Sequence, residues 1–270
     1  MSRGVKRTII ALLVLIGLLI AADYAVASVA EHQVSQKMRQ KLALTEDPSV
    51  TVRGFPFSVQ ALRGDYEEVV VSAERLTVGP LREVGAQAVL HHVRIPLSDL
   101  LSSGDKTLRV DETIGAARIN GTDLGRQLPG VTKLGIEALT PKELAQEAAQ
   151  ASDPASISSL DPATTAKLVA TVNVLGQEQT VSAIVVLLLN GQQIVIEPRD
   201  IRVGDGGITL PQSVQATLRT LFTVRLNPGT LPFKVTPTNV RAIDGVLEVS
   251  GIARNLVIGG VGDNAATLSR

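Results

Sequence analysis

Residues 26–53 read VASVAEHQVSQKMRQKLALTEDPSVTVR, and within them the hydrophobic period changes from four to two. Val26, Ala30, Val34, Met38 and Leu42 recur every four residues, with Glu31, Gln33, Gln36, Lys37, Arg39, Gln40 and Lys41 filling the other faces. That spacing predicts an amphipathic helix of four to five turns. Thr45-Glu46-Asp47-Pro48 ends it. Val50 and Val52 then alternate with Ser49, Thr51 and Arg53, as on a half-buried strand. One helix followed by strand after strand makes the chain α+β.

Downstream, strands are expected over 66–78, 84–95, 108–119, 168–175, 179–189 and 192–197. Asn190-Gly191 and Asp244-Gly245 are hairpin turns. Ile184 to Leu189 is apolar at every position. This reads either as a strand buried on both faces or as one with a face on the core and a face lining a lipid site. Thr122 is a candidate cap for a short helix over 123–128, and Pro141–Ala149 reads as a helix with Pro in its first turn. Residues 137–165, rich in Ala, Ser, Glu, Asp and Pro, otherwise read as a linker between two possible halves of one domain over 28–260. A second helix is expected at 210–221, and 261–270 as a disordered tail.

Upstream, Arg3, Lys6 and Arg7 precede a charge-free run from Ile9 to Ala22, followed by Asp23, Tyr24 and Ala25-Val26-Ala27-Ser28. A basic start, an apolar run and an Ala-x-Ala site make residues 1–27 an export signal or a membrane anchor. Cleavage would follow Ala27. Read on to Ala30, the segment is long enough to span, with Asp23 near the outer interface. Positive charge at the start keeps that end cytoplasmic, so the domain is expected on the extracytoplasmic, periplasmic side, in the cell envelope, secreted or membrane-associated.

Composition narrows the function. Lys and Arg total 26 and Asp and Glu total 26. The first thirty residues hold Arg3, Lys6, Arg7 and Asp23, which leaves the remainder slightly acidic and argues against nucleic acid. There is no Cys, hence no disulfide or thiol chemistry, and aromatics are only 2%, so Val, Leu, Ile and Ala carry the packing. Adjacent His91 and His92 on a strand point to opposite faces and would not share a metal. His32 lies on a polar helix face. No Gly-x-Ser-x-Gly elbow is present, and Gly204-Asp205-Gly206-Gly207 lacks the Lys-Ser or Lys-Thr of a phosphate loop. Glu67-Glu68 and Asp111-Glu112 read as solvated pairs rather than catalytic carboxylates. The expectation is therefore no enzyme, no cofactor and no metal.

Three motifs occur in order: Gly54-Phe55-Pro56-Phe57, Leu62-Arg63-Gly64-Asp65-Tyr66, and Ile95-Pro96-Leu97-Ser98-Asp99-Leu100-Leu101. With Leu231-Pro232-Phe233 and the Ala22-Asp23-Tyr24-Ala25 segment, they resemble the LmeA-like family of actinobacterial cell-envelope phospholipid-binding proteins. The resemblance covers roughly residues 20–260. It implies a TULIP-like fold, in which a long curved antiparallel sheet wraps around the N-terminal helix and a second helix in the C-terminal half. It also implies phospholipid binding, phosphoinositide included, in lipid or lipomannan assembly.

For such a carrier the expected lipid-contacting residues are Val34, Met38, Leu42, Val52, Phe55, Phe57, Leu62, Val69, Val71, Leu218, Phe222 and Phe233. Arg53, Arg63 and Arg225 are the headgroup candidates. The expected partners are phospholipid and membrane, with an envelope-biosynthesis enzyme as a further one. The alternative is a non-enzymatic envelope scaffold that binds a membrane enzyme or transporter through a sheet edge.

Overall fold

The computed structural model describes residues 3–42, 44–78, 81–96, 98–99, 107–128, 130–174, 177–191, 193–204, 218–220, 222–226, 236–243 and 245–258. The elements in chain order are helix α1 (Arg3–Leu42), strand β1 (Ser49–Arg53), helix α2 (Phe57–Arg63), β2 (Asp65–Val78), β3 (Leu81–Arg94), β4 (Leu108–Asn120), α3 (Gly121–Gly125), β5 (Val131–Ala138), α4 (Pro141–Ala149), α5 (Pro154–Ser158), β6 (Thr165–Val174), β7 (Gln177–Asn190), β8 (Gln193–Val203), β9 (Val224–Leu226), β10 (Thr236–Ile243) and β11 (Val246–Ile258). The chain is α+β, as the change of period at residues 42–50 predicts. Leu231, Pro232, Phe233, most of the expected helix at 210–221, and the tail 261–270 lie outside the described residues; Leu218–Thr220 and Phe222 are helical.

The described strands form two sheets, ordered β1-β2-β3-β4-β11-β10 and β5-β6-β7-β8-β9. The pairs β1–β2 and β10–β11 are antiparallel, as is each pair of the second sheet. Two compact units divide the chain. One comprises Met1–Ala73, Gln87–Thr113 and Ala253–Arg270, the other Glu74–Ala86 and Ile114–Ile252.

In the first unit α1 packs on β1 and α2. The buried positions of α1 are Asp23, Ala27 and Ser35, one place along from the apolar series that begins at Val26. The shift has a polar cause. The Val52 N–H donates to Glu31 Oε1 at 2.6 Å, and the Ser35 hydroxyl donates to the Pro48 carbonyl. Helix side chains thereby satisfy one backbone group on the outer edge of β1, which would otherwise invite another strand, and one just before it. In register, Val50 faces Val71 and Val52 faces Val69. These four valines line one face of the β1–β2 ribbon, because side chains two apart share a face.

In the second unit the central strand β7 is buried from Ala183 to Leu187. Its continuous apolar run is that of a strand covered on both faces. On one face Ile184 packs with Leu139, Leu144, Ala148 and Ile157 from α4, α5 and the loop before α4. Helix α4 spans Pro141–Ala149 as predicted and opens with a reciprocal Thr140–Glu143 cap. The 137–165 segment carries α4, α5 and a 3-10 turn at Pro162–Thr164 within this unit. Helix α3 is capped by Asn120, not Thr122. Asn120 Oδ1 accepts the Asp123 N–H at 2.7 Å, so the helix starts two residues earlier than predicted. Gly121 sits so close to β5 that a Cβ there would lie 2.1 Å from the Leu134 carbonyl oxygen.

Candidate functional site

The first two sequence motifs of the first half and the Ile95-Pro96 start of the third converge around α2, while Leu97, Leu100 and Leu101 lie outside the described residues. Phe57, Gln60 and Ala61 are its buried face, at positions i, i+3 and i+4. Gln60 ties the helix to both neighbouring strands: its Nε2 donates to the Arg53 carbonyl at 3.4 Å, and its Oε1 accepts the Glu67 N–H at 2.9 Å. That side chain occupies the space beside Gly54, whose φ of +103° and whose missing Cβ both suit glycine. At the other end Gly64 closes α2 in the left-handed conformation, φ +66°. The Ile95 N–H donates to the Gly64 carbonyl at 2.9 Å, which brings in the Ile95-Pro96 motif. The Phe55–Pro56 peptide is cis.

The start of α2 is capped from outside. Asp23 of α1 places Oδ2 2.7 Å from the Phe57 nitrogen and Oδ1 2.8 Å from the Ser58 nitrogen. Both amides are among those a helix start leaves without partners, and Pro56, the preceding residue, contributes no side-chain cap. A carboxylate midway along α1, at the end of its apolar run, thus caps α2. Reading the chain as a sequence misses it, because donor and acceptor stand 34 residues apart. The one available signal is an Asp standing directly after a run of uncharged residues.

Beside this clamp the surface is apolar. Tyr24 and Phe55 stack with ring centroids 6.1 Å apart and 23° between planes. Phe55 is 55% exposed, Leu62 89% and Val59 38%. Val59 and Leu62, three apart, form the outward stripe of α2. Phe57 points inward, 3% exposed, tilted against the buried Tyr66 ring at 6.1 Å. The Tyr66 hydroxyl is buried without a hydrogen-bond partner among the described residues, and burial pushes its pKa up.

The remaining candidates divide between the units. Val34, Met38, Leu42, Val52, Val69 and Val71 belong to the first. Of these Val71 is buried, Leu42 is exposed, and Val34, Met38, Val52 and Val69 are half-buried. Leu218 and Phe222 belong to the second unit. Phe222 is fully buried there and Leu218 half-buried. Arg53 and Arg63 flank α2. Arg53 Nη1 lies 2.7 Å from Glu68 Oε1, and His91 Nδ1 lies 3.8 Å from Glu68 Oε2. Arg63 is exposed in the last turn of α2, and Arg225 is exposed on β9 in the second unit. His92, in the left-handed region at φ +51°, turns toward Asp65 at 3.6 Å, apart from the partner of His91.

The sequence model of the LmeA-like phospholipid-binding family matches residues 21–252. The chain belongs to the LmeA-like phospholipid-binding family. The LmeA-like region includes Asp23, all of α2 and the valine face of β1–β2. No curated protein and no solved structure gives a significant match. In LmeA-like terms the converging motifs have a structural meaning. Gly54, Gly64 and the Phe57 side chain build the α2 corner, while Phe55 and Leu62 are what that corner displays.

Proposed function

We propose that this LmeA-like protein is exported, stays with the membrane on its extracytoplasmic side, and holds a phospholipid acyl chain in the first unit without catalysis. Its role would be to shelter or present lipid, phosphoinositide included, during envelope lipid or lipoglycan assembly. The observation that carries the reading is the set Val34, Met38, Val52 and Val69. These are apolar residues on α1, β1 and β2 that the unit's own packing leaves half open. An acyl chain laid on them would complete their burial.

The energetics suit a carrier. Each buried methylene is worth roughly 0.8 kcal/mol, so a 16-carbon chain gains about 12 kcal/mol relative to water. Leaving a bilayer costs a similar amount. Transfer between bilayer and protein is then close to balanced and needs no chemical step. Arg53 and Arg63 stand where α2 meets the strands and would meet a phosphate; Arg53 would exchange its Glu68 contact for it.

The test is to purify the full chain, extract it with organic solvent and identify lipids by mass spectrometry, then offer it vesicles with and without phosphoinositide. A defined co-purified phospholipid supports the proposal. No bound lipid, together with no uptake from either vesicle, sinks it.

A further inference from the structure

We propose that α1 is retained as a membrane anchor, and that the Asp23 clamp seats the Tyr24–Phe55 pair and the Val59–Leu62 stripe of α2 on the outer leaflet of the bilayer that α1 crosses. The sequence permits cleavage between Ala27 and Ser28. In the folded unit that bond lies inside an unbroken helix running from Arg3 to Leu42. Cutting it would discard Asp23, which holds the first amides of α2, and Tyr24, which stacks on Phe55. It would also remove Ala27 from the packed face of α1. The family match opens at residue 21, upstream of the bond, so the shared region includes both clamp residues. A leader destined for removal has no reason to carry part of the fold.

The bilayer is the occupant that the neighbouring surface fits. The helix is long and apolar enough to cross a membrane, and its apolar window is wholly uncovered by the rest of the chain. From Arg7 to Asp23 it rises about 24 Å at ~1.5 Å per residue, less than the roughly 30 Å of a typical hydrocarbon core. The shortfall draws the groups just after Asp23 down toward headgroup level. The clamp holds beside them the Tyr24–Phe55 stack and the exposed Val59 and Leu62: a tyrosine, whose ring suits the headgroup level, and apolar side chains that can bury at the acyl boundary. Arg63, beside Leu62 on α2, can reach lipid phosphate from there.

The experiment uses the full chain with a C-terminal tag in an export-competent bacterium. The natural sequence has no Trp, so Leu62→Trp, at a site already 89% exposed, introduces a single fluorescent reporter. The expected results are a membrane-fraction protein that resists carbonate wash and yields a peptide spanning the intact Ala27–Ser28 bond. After reconstitution, the Trp emission is blue-shifted and mostly quenched by brominated lipid. A mature N-terminus at Ser28 overturns the proposal, and so does an intact chain whose Trp emission stays at the solvent value and unquenched. Neither readout depends on a lipid held in the first unit, so failure of this inference and failure of the carrier reading are separable.

Discussion

Replacing Asp23 with Ala removes the two acceptors that close the start of α2, and the cost can be worked from the contacts. Loss of a helix cap costs about 0.5–2 kcal/mol. The Phe57 amide belongs to a buried residue, so leaving it unpaired adds a desolvation penalty of roughly 1 kcal/mol. The sum is about 1.5–3 kcal/mol. For a chain of this size each kcal/mol lowers the melting midpoint by roughly 2–4 °C, so Asp23→Ala is expected to melt about 5–10 °C lower by circular dichroism in detergent. Asp23→Asn keeps one carbonyl oxygen and loses the other, so it falls about midway. A local readout accompanies the global one. Where cleavage follows the open population, trypsin cutting after Arg63 at the end of α2 speeds up roughly thirtyfold for ~2 kcal/mol. An unchanged midpoint with unchanged cleavage in Asp23→Ala would refute the clamp.

Two further outcomes concern the second unit. Gly121→Ala would drive a methyl into the Leu134 carbonyl oxygen, a backbone atom that cannot rotate away; a loss of about 3 kcal/mol in denaturant titration, at the upper end for overpacking, is expected. Glu248, nearly buried, is held below the usual carboxylate range first by its hydrogen bond from Arg241 and also by Arg118. Because its folded pKa is depressed, its stabilisation is present at neutral pH and above its unfolded value, and is lost as pH falls through the folded value. Both arginines are about half exposed, so solvent screening limits the gain to about 1–2 kcal/mol. Glu248→Gln should therefore be less stable at pH 7 and show a flatter acid limb in melts from pH 7 to 3.

Much of the fold was legible because it rests on local period and turn chemistry. The change at residues 42–50, the Asn190-Gly191 hairpin, the hairpin that pairs Ile243 with Val246 and helix Pro141–Ala149 all follow from neighbours in the chain. What was not legible depends on groups brought from afar. The buried stripe of α1 is offset from the apolar series because Glu31 and Ser35 answer backbone groups of the Pro48–Val52 segment. Asp123 takes the Arg82 and Glu83 amides from some forty residues away, which fixes α3 against the start of β3. Phe55 and Phe57 look alike as a sequence pair, yet one is displayed and the other buried, a choice made by the corner that Gly54 permits. At the site, the motif order points to the α2 corner, while the clamp that assembles that corner becomes visible only with α1 and α2 side by side.

The proposed function stands on the half-open valines of the first unit holding a phospholipid. Native mass spectrometry of the full chain, compared with a Val52→Asp, Val69→Asp double variant, tests it most directly, since lipid clinging to the apolar stretch of α1 is common to both. The natural protein is expected to carry one phospholipid more than the variant. Equal lipid loads in two folded proteins would contradict it.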